Sequence, residues 1–388
     1  MNLFFTVFLT PLFFKFWGES YSIYVVLLSL IGFSSVLAQP LLIGYYHNKN
    51  ADFPNSINLV LATYFIFFFF ILFFPFFLYL RSLNYEILFI ILGTLLPLLS
   101  GGLLIVRASY YFHNKLVFNA MLEALFLLMK LPLGYLLITQ YSLYEISNYL
   151  IYFEIVCFIE ITTLVIFAKD SVSLNINSIF LYLKRNLREI KGLAILAAVV
   201  FCEVLIGNYD RLLLAHVGQK SNLIVYSFSL SAASVLYIVP AQINTQSQGN
   251  YIKNVTKGVS ILLKSDLISI FLVTAIPFTI FVLEGRWVIE LWLGKVLENN
   301  QIEMVYKLSI IAMTGAILNS LSGPFNNYNI STRGYKVIGY ITYFCLFFLI
   351  IFGTIASYFF GMIYLAWTLV VMQLIKLILN FLVAKHRL

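Results

Sequence analysis

The stretch "AKDSVSLNINSIFLYLKRNLREIK" (Ala168–Lys191) is the longest polar segment of the chain, and five of its residues are Lys or Arg. Six apolar runs lie on each side of it. Before it they fall at about 3–17, 22–44, 57–80, 87–106, 116–139 and 146–168. After it they fall at about 192–214, 222–243, 259–283, 304–323, 337–357 and 359–384. A membrane-spanning helix needs about 20 mostly apolar residues. At membrane depth the backbone must satisfy its own hydrogen bonds, which leaves helices or a closed barrel. Ten-residue segments of strict alternation are absent, so the runs read as helices. The expectation is an all-α polytopic membrane protein with about 12 transmembrane helices in two halves. These are 1–168 and 192–388, joined by a linker at 169–191.

The basic residues orient it. Gaps of one alternating set hold 14 Lys and Arg, and gaps of the other set hold five. Lys and Arg concentrate on the cytoplasmic side. Both termini and the linker are therefore expected in the cytoplasm. The linker reads as a surface helix with Lys184, Arg185 and Arg188 against lipid headgroups.

Composition agrees. Hydrophobic residues make up 62% and charged residues 10%, against about 45–50% and about 25% in soluble chains. No soluble interior of this length would hide that much apolar surface. The net charge of +8 follows from topology, so membrane lipids are expected partners and nucleic acid is not. Cys157, Cys202 and Cys345 sit inside apolar runs without metal or redox spacing, and the four histidines are scattered. No nucleotide loop, zinc motif or nucleophile elbow occurs. No cofactor, no metal and no catalytic residue is expected.

Charges inside apolar runs are the functional candidates, because a mid-bilayer charge costs at least about 2.5–3.5 kcal/mol. Lys130 sits near the middle of its span in "LEALFLLMKLPLGYLLI" (Leu122–Ile138), with Glu123 two turns earlier on the same helix face. A cavity lined by Glu123 and Lys130 is one reading, and an ion pair between Lys130 and another helix, for instance Glu154, is the other. Glu160, Asp266 and the pair Asp210–Arg211 are also intramembrane charges. Glu203, in "AVVFCEVLIGNYD" (Ala198–Asp210), has no opposite charge at helical spacing and is the proton-carrying candidate. Lys264 lies near the start of its span, close enough to the surface to snorkel. The halves also echo each other: Tyr24 and Ser29 open span two as Tyr226 and Ser231 open span eight.

Three stretches carry a family resemblance. They are "FWGESYSIYVVLLSL" (Phe16–Leu30), "NYDRLLLAHVGQKSNLIVYSFSLS" (Asn208–Ser231), and "IELWLGK" (Ile289–Lys295) with "NISTRGYKVIGY" (Asn329–Tyr340). In order and spacing the chain resembles the Wzx-type polysaccharide (O-antigen or capsule) flippases of the multidrug/oligosaccharidyl-lipid/polysaccharide exporter superfamily. Ser22 stands where that family usually has glycine, and the first span is shorter than usual. The resemblance implies two six-helix lobes around a central cavity in the bacterial inner membrane. It implies ion-coupled alternating access that moves an undecaprenyl-diphosphate-linked oligosaccharide to the periplasmic leaflet, with other polysaccharide assembly proteins as partners. A cationic cavity would suit that cargo. Lys130, Arg211, Arg107 and Lys264 are the expected substrate-binding cations, and Glu203, Glu123, Asp210 and Glu154 the expected ion-coupling acids. Two alternatives stand beside this reading: an O-antigen polymerase, with its chemistry in a long periplasmic loop, and a drug/cation antiporter of the same superfamily, with acids dominating the cavity.

Overall fold

The computed structural model describes residues 2–38, 57–112, 116–140, 145–168, 190–217, 220–253 and 259–385. Among these residues the chain is helical throughout, with no strand. The basic segment 169–189 lies outside the described residues, and with it most of the expected linker. Among the described residues, ten stretches are long and apolar enough to cross a membrane, from Thr10–Ala38 to Met362–Lys385. Ten rather than twelve arise for two reasons. Parts of the two runs expected at the start, 3–17 and 22–44, are joined in the single stretch Thr10–Ala38. The helix Ile190–His216 is long enough, but Glu203, Asp210 and Arg211 crowd its second half with charge. The chain is a multi-pass membrane protein.

The chain divides into two units, Met1–Val204 and Leu205–Leu388. The first contains α1 (Asn2–Trp17), α2 (Tyr21–Ile31), α3 (Ile57–Phe67), α4 (Phe74–Ser82), α5 (Ile87–Phe112), α6 (Leu116–Leu128), α7 (Gly134–Gln140) and α8 (Ile146–Ala168). It also takes the first part of α9 (Ile190–His216). Helix α5 is the hub, packed against α2, α3, α4, α6 and α8. Its glycines permit this. A Cβ on Gly101 would lie 1.9 Å from the Tyr64 hydroxyl oxygen, which donates to the Pro97 carbonyl at 3.0 Å. Close approach through small residues is how membrane helices gain packing energy without a hydrophobic driving force.

An aromatic cluster closes the other side of this unit. Phe13 and Trp17 of α1 stack at 4.8 Å between ring centroids, and Tyr24 and Tyr149 pack on both. All four are buried.

The second unit contains α10 (Lys220–Lys253), α11 (Val259–Leu293), α12 (Asn299–Arg333), α13 (Tyr335–Phe348) and α14 (Met362–Lys385), with the rest of α9. Helix α12 is its hub, packed on α10, α11, α13 and α14. Glu298 and Gln301 form a capping box at its start, which satisfies orphan N–H groups. Gly334, at φ 74°, turns the chain from α12 into α13, a conformation that costs glycine little. Outward faces are apolar and aromatic: Phe69, Leu283 and Phe359 are more than half exposed, as lipid-facing residues should be.

Candidate functional site

One helix interruption builds the site. Between α6 and α7, Met129–Leu133 is a π-helical turn. Pro132 lies inside it, and proline lacks an N–H and crowds the preceding turn, which widens the ladder. Hydroxyls from α8 meet the carbonyls of that turn: Tyr152 donates to Met129 O at 2.6 Å and Tyr149 to Lys130 O at 3.4 Å. Gly134 makes room for this contact, since a Cβ there would lie 2.8 Å from Tyr149 Cε2. The turn thus locks onto α8 and aims Lys130 inward, with its Nζ 5.5 Å from the centre of the Phe153 ring.

Four charges from four chain segments meet there. Glu160 of α8 is fully buried. Lys130 Nζ donates to Glu160 Oε2 at 2.5 Å. Arg107 of α5 donates to Glu160 Oε1 through Nε, at 3.0 Å, and through Nη2. The remaining edge of the guanidinium faces α6, where Nη1 donates to Glu123 Oε1 at 2.9 Å. Each member therefore has an opposite charge in hydrogen-bond contact, the condition under which burying ions is tolerable.

Arg107, Glu123 and Lys130 line a cavity of about 590 Å³ wholly within the first unit. Its other walls are mostly apolar, with Leu28 and Ile31 of α2, Leu103 and Leu104 of α5, and Leu127 and Leu131 beside Lys130. Tyr24 and Phe153 contribute aromatic faces. The result is a greasy chamber with one charged corner, the size of a typical small-molecule site.

Of the eight expected site residues, the structure brings together Arg107, Glu123 and Lys130. Glu123 meets Arg107 rather than stacking along its own helix toward Lys130. The partner of Lys130 on α8 is Glu160, not Glu154. Glu154 is buried six residues earlier, and its Oε1 has no hydrogen-bond partner. Glu160 and Glu154 lie equally far from the centre of their span, so no sequence signal ranks one above the other. The deciding fact, which face of α8 meets α5 and the π turn, is tertiary.

The other expected residues lie elsewhere. Glu203 is half-buried on α9, without an ion-pair partner among the described residues. In the second unit Asp210 is buried, takes a hydrogen bond from the Tyr226 hydroxyl of α10, and accepts one from the Arg211 backbone N–H at 2.8 Å. Arg211 turns back along its own helix, donating to Gly207 O and Asn208 Oδ1, each at 2.9 Å. Lys264 is exposed near the start of α11.

The fold has solved relatives. The chain is similar to the lipid II flippase MurJ in an inward closed conformation, with a TM-score of 0.74 and 12% identity over 99% of this chain and 86% of that one. It is similar to an inward-facing multidrug resistance MATE family transporter of the MOP superfamily, at 0.59 and 10% over 100% of this chain and 92% of that one. A MATE transporter of Vibrio cholerae follows at 0.55 and 12%, covering 99% and 94%. No protein-family model and no curated protein matches the chain. At such identities the likeness establishes the fold, and that fold is the one shared by the lipid II flippase and the MATE transporters.

Proposed function

We propose that the chain is a flippase for a lipid-linked oligosaccharide. It carries the undecaprenyl-diphosphate-linked repeat unit of an O-antigen or capsule from the cytoplasmic to the periplasmic leaflet of the bacterial inner membrane. The observation that carries the reading is the pair of cations, Arg107 and Lys130, which share one corner of a mostly apolar cavity with Glu123. A lipid diphosphate has the complementary character: an anionic head that asks for Arg and Lys, joined to a chain that asks for apolar walls. Tyr24 and Phe153 offer faces to a sugar.

Coupling to an ion gradient belongs to the same proposal, with Glu203, Asp210 and Glu154 as the acids that would carry it. The antiporter alternative asks for free carboxylates in the cavity, whereas its lining Glu123 is spent on Arg107. The polymerase alternative asks for a long outer loop, and the connections at 83–86 and 294–298 are short.

Expression in a strain lacking its own flippase tests the proposal. Surface glycan should return with the wild-type chain and fail with Lys130→Ala, at equal protein in the membrane. Glycan display by Lys130→Ala at the wild-type level would remove Lys130 from the site.

A further inference from the structure

Arg107 holds two carboxylates that differ sharply in burial. The Glu160 side chain is 0% exposed and ties down both Arg107 and Lys130. The Glu123 side chain is 35% exposed and touches Arg107 through a single nitrogen, Nη1. Glu123 and Arg107 line the cavity, and Glu160 stands behind its wall.

The formal charges of Arg107, Lys130, Glu123 and Glu160 cancel. A phosphate that enters the cavity meets no net positive field until one carboxylate moves aside. Glu160 is unfit for this, because its departure would leave buried Lys130 without its counter-charge and Arg107 with Glu123 alone, and an unpaired buried ion is costly. Glu123 is fit: one hydrogen bond holds it, and its partly exposed side chain already lines the cavity.

We propose that Glu123 is the exchangeable counter-ion of this site. Before cargo binds it holds Arg107 Nη1, and on binding a diphosphate oxygen takes that position while Lys130 and the rest of the guanidinium stay anchored on Glu160. This rests on the reading of the cavity as a lipid-diphosphate site. The exchange makes Glu123 a specificity-determining residue. A diphosphate brings more charge than the carboxylate that it replaces, whereas a neutral or weakly charged amphiphile cannot displace it. It also keeps binding weak enough to reverse, since Glu123 competes for the same nitrogen when cargo is to leave.

The test uses the full chain in lipid nanodiscs and farnesyl diphosphate as the probe. Glu123→Gln removes the competitor and should bind about fivefold tighter, the scale of a partly exposed ion pair. Arg107→Ala should lose most binding, and the double variant should be no tighter than Arg107→Ala. Equal or weaker binding by Glu123→Gln, with binding still lost in Arg107→Ala, overturns the exchange and leaves the lipid-diphosphate reading standing. Wild-type binding by both Arg107→Ala and Lys130→Ala overturns that reading and the exchange with it. A second measurement needs no variant. Modification of Glu123 by an apolar carbodiimide, read by mass spectrometry, should rise when the probe saturates the wild-type protein, while Glu160 stays unmodified. Unchanged labelling of Glu123 overturns the exchange.

Discussion

Tyr24 in the first unit and Tyr226 in the second occupy matching places in the sequence, one near the start of α2 and one near the start of α10. Five residues on, each is followed by a serine that bonds back to the carbonyl four residues earlier, Ser29 to Val25 and Ser231 to Ser227, both at 2.9 Å. Their partners differ. Tyr24 meets the Tyr149 hydroxyl and lines the cavity, whereas Tyr226 is buried against the Asp210 carboxylate. The contrast extends through both units. In the first, ions sit in a cavity wall. In the second, the seam from α12 to α14 is made of neutral amides: Asn329 donates to Asn380 O at 2.9 Å, and Asn380 donates to Ser322 Oγ at 3.1 Å. Both arrangements pair polar groups away from water, though Asn329 Oδ1 of the seam has no partner among the described residues. The neutral one does so at lower desolvation cost. The second unit also buries one acid, Asp210, but the cluster of four paired charges at a cavity is found among the described residues of the first unit.

The largest expected effect breaks the ionic side. Glu160→Gln leaves Arg107 and Lys130 without their common anchor, which should destabilise the protein by about 3–5 kcal/mol. Thermal unfolding of the purified protein in detergent, with the yield of folded chain, measures this. A variant as stable as wild type would show that the cluster does not depend on Glu160.

Next come two glycine contacts, one chosen from each unit. Gly101→Ala drives a methyl into Tyr64, which is fully buried and pinned by its bond to Pro97 O. Overpacking of that kind costs about 1–3 kcal/mol. Gly323→Ala meets the Asn244 amide, 2.2 Å from Nδ2, but Asn244 is half-buried and sits at the end of a side chain that can rotate. Its melting temperature should fall less than that of Gly101→Ala. The reverse order would mean that the α10–α12 contact is the stiffer of the two.

The amide seam is the next step down. Asn380→Leu removes its side-chain links to Asn329 and Ser322 while keeping the branched shape. Interhelical hydrogen bonds in membranes contribute about 0.6 kcal/mol on average, with a maximum near 1.7. The expected loss of stability is of that size, with glycan display intact. Lost display in a stably folded Asn380→Leu variant would bring the second unit's seam into the transport step.

These sites were unequally legible in the sequence. Apolar runs and their length marked the helices, because lipid imposes one simple rule on every span. Lys130 stood out for the same reason: a charge deep in such a run is an exception to the rule. The partnership of Lys130 was not legible. Whether Glu154 or Glu160 faces it depends on how α8 rotates against α5 and the π turn, and composition carries no record of that rotation. The π turn itself had one visible cue, Pro132. Arg107 falls just past the end of the run expected at 87–106, yet α5 runs on to Phe112 and Arg107 bonds to Glu160.

Lys264 is the smallest case and sharpens the contrast from the other side. It belongs to the same chemical class as Lys130, and it also lies within an apolar run. Yet it is exposed, near the beginning of α11, with no ion-pair partner among the described residues. Its ammonium can reach water along a flexible stem, so it has no desolvation cost to offset. Lys264→Ala should change stability by no more than about 0.5 kcal/mol and leave glycan display at the wild-type level. The same assay that condemns Lys130→Ala should pass Lys264→Ala. If both variants fail equally, depth and burial are not what separates a working cation from an idle one, and the first unit's cavity loses its claim to be where the cargo's charge is held.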